Sequence, residues 1–262
     1  MAPQTSDLTA LQSIQREVDH EIESRAGHWR LLQERLVSIF REYEAGPALS
    51  SAIYRVYTRA DKQGVIQPIN AHLKAAHKIA EEIYAYRTGA EKIRGGKAVR
   101  VKEDPAFGIY DVADIVGITI VCPFPSDVQR VVARIEEDGT RGRFKVIGNK
   151  KEHSRPEYAA THLSLAFEED PLGMLTAEVQ VKTAFQDAFS WKTHGLAYKA
   201  DAGTDEWLIG QLNRINVVIR AADEMSDQLR DRISRENAHG RERRLQAKQS
   251  LKDNLVFEVP GG

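Results

Sequence analysis

Within the stretch MLTAEVQVKTAFQDAFSWKTHGLAYKA, residues 174–200, an acid, an amide and a base recur at every second position: Glu178, Gln180 and Lys182. Period two is the signature of a β-strand, in which these three side chains share one face while Ala177, Val179 and Val181 share the other. The apolar face would pack on helices. The polar face would either be solvated, as one side of an antiparallel sheet often is, or form a working surface. Upstream, His162 and Ser164 alternate with Leu163 and Leu165, so pairing of the two segments would assemble one polar face from both. Asp114 opens the most apolar run of the chain, DIVGITIVCPF, where a carboxylate needs a cap, a partner or a cation. Two carboxylates with several Lys and Arg and no Cys/His cluster fit Mg²⁺ and a nucleotide, because Mg²⁺ takes a few carboxylates together with phosphate oxygens. There is no GxxxxGK[ST], no GxGxxG and no kinase motif set, which argues against a P-loop ATPase or a protein kinase.

Those residues need a scaffold, and the hydrophobic pattern outlines one. Residues 8–44 carry apolar side chains at helical spacing, as two helices or one broken near Gly27. AIYRVYTRA, 52–60, alternates as a first strand ending at Arg59, with Lys62 and Gly64 in the loop beyond it. A helix is expected over about 69–87. The glycine-rich basic stretch 88–108 reads as a mobile connection able to fold over a ligand. The run 114–124 predicts a buried central strand, 126–138 a helix, and GRFKVIG a further strand followed by a polar loop at 149–157. YAATHLSLAF and LTAEVQVKT, separated by the turn signal EEDPLG, predict a hairpin. Helices follow from 183 and from about 205, the latter with Leu208, Leu212, Ile215 and Ile219 at core-facing spacing and with Trp191 expected in the core of the former. Interleaved strands and helices predict an α/β or α+β class, a mixed central sheet flanked by helices.

The chain of 262 residues can bury one substantial core. With 37 basic and 38 acidic residues it has no global field for nucleic acid or membrane, so any such contact must be local. Residues 228–252, with eight Lys/Arg against three acids, read as a solvated helical extension or as a local RNA or partner contact. The single cysteine, Cys122, fits a small buried side chain and a reducing compartment. No signal-like start and no apolar run of about 18 residues occurs, so a soluble, cytoplasmic protein without membrane contact is expected.

Taken in order and spacing, YDVADIVGITIVC, EYAATH, AEVQVKT and HGLAYK resemble the synthetase domain of the RelA/SpoT alarmone synthetase family, over about residues 50–222. The resemblance implies a nucleotidyltransferase-like core at 50–222, a helical region at 1–49 before it and a basic helical extension and tail at 223–262. It implies transfer of the β,γ-pyrophosphate of ATP to a ribose 3′-hydroxyl, typically of GDP or GTP to make (p)ppGpp, with Mg²⁺. By position, Asp114 and Glu178 would be catalytic and metal-holding, Glu178 also as the base at the 3′-hydroxyl. Tyr158, His162, Gln180, Lys182 and Asp187 would bind the acceptor, and Arg59 and Lys62 the ATP. His194 and Tyr198 fall to packing or support.

The match departs from the family pattern at three places. Thr119 stands where a strand arginine usually clamps the donor adenine, Glu157 where a loop glycine precedes the tyrosine, and Asp187 where many members carry Asn. These keep other acceptors open: some relatives are toxins that act on adenosine nucleotides or the 3′ end of tRNA. Under that alternative an antitoxin is a partner. A degenerate nucleotide-binding regulator is the non-enzymatic alternative, and the oligomeric state is left open.

Overall fold

The computed structural model describes residues 5–58, 73–94, 97–155, 158–169, 172–173, 175–197 and 206–255. Its elements run α1 (Thr5–Ser24), α2 (Ala26–Ala45), β1 (Arg55–Thr58), α3 (Ala76–Thr88), β2 (Glu91–Arg94), β3 (Lys97–Arg100), β4 (Val116–Cys122), α4 (Pro125–Thr140), β5 (Lys145–Arg155), β6 (Tyr158–Ala166), β7 (Thr176–Thr183), α5 (Ala184–Ala197) and α6 (Glu206–Leu255). Five strands form one mixed sheet in the order β1-β4-β7-β6-β5, and β2 and β3 form a separate ribbon. The class is the mixed sheet flanked by helices that the hydrophobic pattern predicts.

Strand β4 sits inside the sheet with all seven residues buried, as its unbroken apolar run requires. It pairs antiparallel with β1 and parallel with β7, while β6 returns antiparallel on β7 as the expected hairpin. One sheet face carries Ile118, Ile120, Leu163, Leu165, Val179 and Val181, all nearly fully buried. These join Leu32, Leu36 and Phe40 of α2 and Val131 and Ile135 of α4 in a single core. Ile14, Val18 and Ile22 of α1 belong to the same core, so the N-terminal helices are part of this core and not an appended unit. Burying this many large aliphatic side chains, each stabilising by about 1.5–3 kcal/mol, is what holds β4 and β7 in place.

Two local expectations change and one boundary is refined. The chain from 149 to 155 continues β5 rather than forming a loop: Gly148, at φ 68°, lets the strand bulge between Ile147 and Lys151 and then resume against β6. The basic segment after α3 is structured too. Gly89, at φ 62°, closes α3 with bonds to the carbonyls of Ala85 and Tyr86 and sends the chain into the β2–β3 ribbon. The break between α1 and α2 falls at Arg25, two residues before Gly27.

Helix α6 spans 50 residues, about 75 Å, and crosses residue 222 without interruption. Its first half packs on the core through Leu212, 5% exposed, but Ile215 points outward at 47%. Asp227 and Arg230 then pin it to the start of α4: Ser126 donates its backbone N–H to Asp227 at 3.1 Å, and Arg230 donates to Asp127 at 2.6 Å. Beyond Arg230 the helix is exposed almost throughout, matching its loss of apolar residues. Among the described residues no helix is long and apolar enough to cross a membrane.

Candidate active site

The register of the sheet assembles a polar row. Tyr57 of β1 lies opposite Thr119 of β4, Thr119 opposite Gln180 of β7, and Gln180 opposite His162 of β6. Directly opposed residues share a face, so four strands contribute to one surface. Glu178, two residues before Gln180, takes its place between Gly117 and Ser164.

Glu178 is held at both oxygens. Gln180 donates its Nε2–H to Oε2 at 2.7 Å, and His162 Nδ1 lies 2.6 Å from Oε1. With Glu178 ionised the proton of this bond sits on Nδ1, since a carboxylate only accepts. Both groups keep some access to solvent, with 19% of the Glu178 side chain and 13% of the His162 side chain exposed. A carboxylate anchored by two partners on this polar face is oriented before any ligand arrives.

Lys182 continues the same face but lies under it. Its side chain is 1% exposed and its Nζ is 3.0 Å from Asp187 at the start of α5. Tyr57 O–H donates to the same Asp187 oxygen at 2.5 Å, and the Arg55 guanidinium, stacked over the Tyr57 ring, lies 3.7 Å from the other. Burial lowers the Lys182 pKa, the Asp187 charge and hydrogen bond oppose this, and Arg55 adds to the lowering, for a net downward shift. Burial, reinforced by the bond to Asp187, raises that of Tyr57. Lys182 and Asp187 are therefore joined to one another, and Asp187 ties α5 to β1 and β7. Trp191, expected in the core, is 45% exposed.

Why α5 begins where it does is local. Thr183 caps it, its Oγ accepting the Gln186 backbone N–H at 3.2 Å while Gln186 Oε1 accepts the Thr183 N–H at 3.0 Å. This reciprocal pair turns the end of β7 directly into a helix and places Asp187 over Lys182.

Asp114 precedes β4 and is one-third exposed. Lys74 bridges it to Glu82 of α3, at 2.7 Å and 2.5 Å, and Lys92 of β2 bonds the other Glu82 oxygen. Burial pulls the Lys74 pKa down, but Asp114 and Glu82 together outweigh it and the net shift is upward; Glu82 is correspondingly lowered against the pull of its own burial. The bonded chain Asp114, Lys74, Glu82, Lys92 draws the ribbon and α3 toward the start of β4.

The structure thus brings together His162, Glu178 and Gln180 as one cluster and Lys182 with Asp187 as a second, and it places Asp114 in a third. Arg59 and Lys62 lie outside the described residues, as do Glu157 and Tyr198. Tyr158 begins β6 opposite Arg155, but its side chain and that of His194 are outside them too. Sequence reasoning did not single out Arg55 and Tyr57, although their alternation in RVYT puts them on one face, nor Lys74, Glu82 and Lys92, for which no local signal exists.

Comparison with known proteins follows this geometry. Residues 90–203 match the family described as a region found in RelA/SpoT proteins. No curated protein matches the chain. Among solved structures, the small alarmone synthetase 1 from Bacillus subtilis bound to its product pppGpp shares 20% identity and a TM-score of 0.58, covering 84% of this chain and 99% of that one. A GTP pyrophosphokinase family protein from Streptococcus pneumoniae shares 18% identity at a TM-score of 0.56, covering 83% and 96%. The small alarmone synthetase 2 from Bacillus subtilis shares 17% at 0.55, covering 82% and 98%. At these identities the likeness is one of fold, and it includes the sheet on which Glu178 and His162 are mounted. Residues 90–203 thus match the region found in RelA/SpoT proteins, and the chain has the fold of the small alarmone synthetases.

Proposed function

We propose that the protein is a pyrophosphokinase that transfers the β,γ-pyrophosphate of ATP to the ribose 3′-hydroxyl of GDP or GTP. The RelA/SpoT match supports synthetase-type activity at family level. Two of the structures with this fold, both of small alarmone synthetase 1, are described as bound to pppGpp and to AMPCPP, an agreement with nucleotide substrates. The observation that carries the reading is the Glu178 carboxylate, fixed by His162 and Gln180 on the polar sheet face.

In this reading the acceptor 3′-oxygen attacks the β-phosphorus of ATP, a new P–O bond forms, and the bond to the oxygen leaving with AMP breaks. Glu178 takes the hydroxyl proton, which requires hydrogen-bond reach and an ionised carboxylate. His162 and Gln180 aim it. His162 and Gln180 line the acceptor pocket, with Tyr158 stacked on the base. Lys182 and Asp187 act there as a pair, which shapes the floor beneath Gln180. Arg59 and Lys62 hold the ATP. Arg55, half exposed beside Tyr57, is a further cation near Thr119, where the usual clamp arginine is missing.

Mg²⁺ belongs to this reading, and the donor set fits it, since both candidate ligands are carboxylates and hard cations prefer oxygen. Asp114 and Glu178 would hold it. No group of three or more His, Cys, Asp or Glu among the described residues forms a metal cluster, so phosphate oxygens and water would complete the shell. When bound, the ion would neutralise charge on the transferred group.

The test is to incubate the protein with Mg²⁺ and γ-labelled ATP, offering GDP, GTP, ADP and deacylated tRNA separately. Label on GDP or GTP is expected. Label on tRNA or ADP would transfer the reading to the toxin-like alternative, with an antitoxin then worth seeking, and label nowhere would leave a nucleotide-binding regulator. Glu178→Gln keeps the shape and removes the base, so transfer should fall at least about a hundredfold. Activity within a few fold of the parent would remove Glu178 from its assigned role.

A further inference from the structure

Behind the polar face, where β7 ends and α4 begins, a cleft of 370 Å³ opens between α4, β6, β7, α5 and α6. Val181 and Thr183 line it, while Gln180 and Lys182 alternate onto the opposite side of the sheet. The cleft is therefore separate from the Glu178 cluster although the same strand serves both.

One wall is unusual for its burial. Asp223 of α6 is 3% exposed. Thr183 O–H donates to its Oδ2 at 2.7 Å, and its Oδ1, fully buried, has no hydrogen-bond partner among the described residues. An unsatisfied buried acceptor of this kind costs about 1–3 kcal/mol, more for a charged group, unless something donates to it. Burial first, then the charges of Asp227 and Glu224, push the Asp223 pKa up to about 6, against the Thr183 bond, which lowers it. The charged groups along its own helix are Arg220, Glu224, Asp227 and Arg230, the last ion-paired to Asp227, and every lining residue from α4, β6, β7 and α5 is uncharged. Carboxylates thus outnumber cations, and Val128 and Val181 supply apolar walls.

We propose that this cleft is a binding site for a small organic cation, an amidinium or ammonium on an apolar body, whose N–H group donates to the Asp223 carboxylate once rotation of that side chain turns Oδ1 into the cleft. The volume suits a small molecule and excludes a macromolecule. A charge-assisted bond to the unsatisfied oxygen supplies what the fold leaves missing. Thr183, which shares Asp223 with such a ligand, is also the cap of α5, so the site lies one residue from Lys182 and adjoins the helix that carries Asp187. The proposal does not depend on the pyrophosphokinase reading.

The experiment is a calorimetric titration of the full chain with benzamidinium chloride and, separately, benzylammonium chloride, at about pH 7.5 and about pH 5, on either side of the Asp223 transition. One saturable site per chain is expected for at least one of the probes, weaker at the lower pH, where Asp223 is protonated. Asp223→Asn keeps an acceptor for Thr183 and removes the charge, so it should weaken that binding about tenfold or more. Val128→Trp, which fills the cleft without touching the carboxylate, should do the same. Absence of saturable binding by both probes would overturn the proposal, as would binding unchanged in both variants.

Discussion

Two lysine–aspartate pairs in this protein have similar lengths and opposite tendencies. Lys182 is 3.0 Å from Asp187 and its pKa is lowered, while Lys74 is 2.7 Å from Asp114 and its pKa is raised. Burial is the largest single influence on each and works against the charge of both. The difference lies in the neighbours. Lys74 faces two carboxylates, Asp114 and Glu82, which together overcome desolvation. Lys182 shares Asp187 with Tyr57 and feels the repulsion of Arg55. The length of an ion pair thus says little about how secure its charge is; the number of counterions and the depth of burial decide.

The sharpest way to break this comparison is to remove Asp187. Asp187→Ala leaves the Lys182 ammonium buried without its carboxylate and should cost about 3–5 kcal/mol in urea unfolding, while Lys182→Met with Asp187→Leu should recover most of that loss. A single-variant cost below about 1 kcal/mol would show that the pair is not a desolvated one.

Next in size is the alkaline limb. A lysine with a raised folded pKa contributes stability that is complete below its unfolded value and is lost as pH rises through the folded one. Lys74 should therefore produce a fall in stability above about pH 10, and Lys74→Met should flatten it, with an overall cost of about 1–2 kcal/mol near neutrality. Lys182 has the opposite sign: the folded state binds fewer protons, so its contribution improves as pH climbs toward the unfolded value. Lys182→Met should remove that rise. Urea titrations from about pH 8 to 11 read both slopes, and equal signs would end the comparison. Glu82→Gln, leaving Lys74 with one carboxylate, should make Lys74 resemble Lys182.

The smallest effect concerns a carboxylate lacking a cation. The Asp223 pKa is raised from 3.8 to about 6, so its contribution to stability is present at low pH and lost as pH rises through that value. Asp223→Asn should therefore stabilise the fold by about 1 kcal/mol near pH 7.5 and by almost nothing near pH 4. Thermal melts at the two values check this, and a variant less stable at the higher pH would contradict it.

What could be read in the sequence depended on how local the governing interaction is. Alternation in AEVQVKT places Glu178 and Gln180 on the polar face because side chains of a strand must alternate, and the burial of β7 follows it residue by residue until Lys182. The hairpin of β6 on β7 follows from EEDPLG, and the central position of β4 from its apolar run. The reading of 149–155 as a loop missed because a glycine in a strand pattern signals an end or a bulge equally well. The basic stretch after α3 hid a ribbon since two four-residue strands carry little periodicity. Ile215 and Trp191 match a helical apolar spacing and yet face outward, because spacing defines a face without saying what covers it.

By itself, then, the sequence determined the strand faces, the polar set of Glu178, Gln180 and His162, the central strand, and the four ordered motifs that resemble the RelA/SpoT synthetases. These rest on periodicities of the backbone, which any chain obeys before it packs. The pairing of Lys182 with Asp187 and Tyr57, the bridging of Asp114 and Glu82 by Lys74, and the cleft beside Asp223 were decided only by tertiary structure. Each joins side chains from different elements, and both the ammonium pKa shifts and the unsatisfied carboxylate arise from burial that no single element can produce.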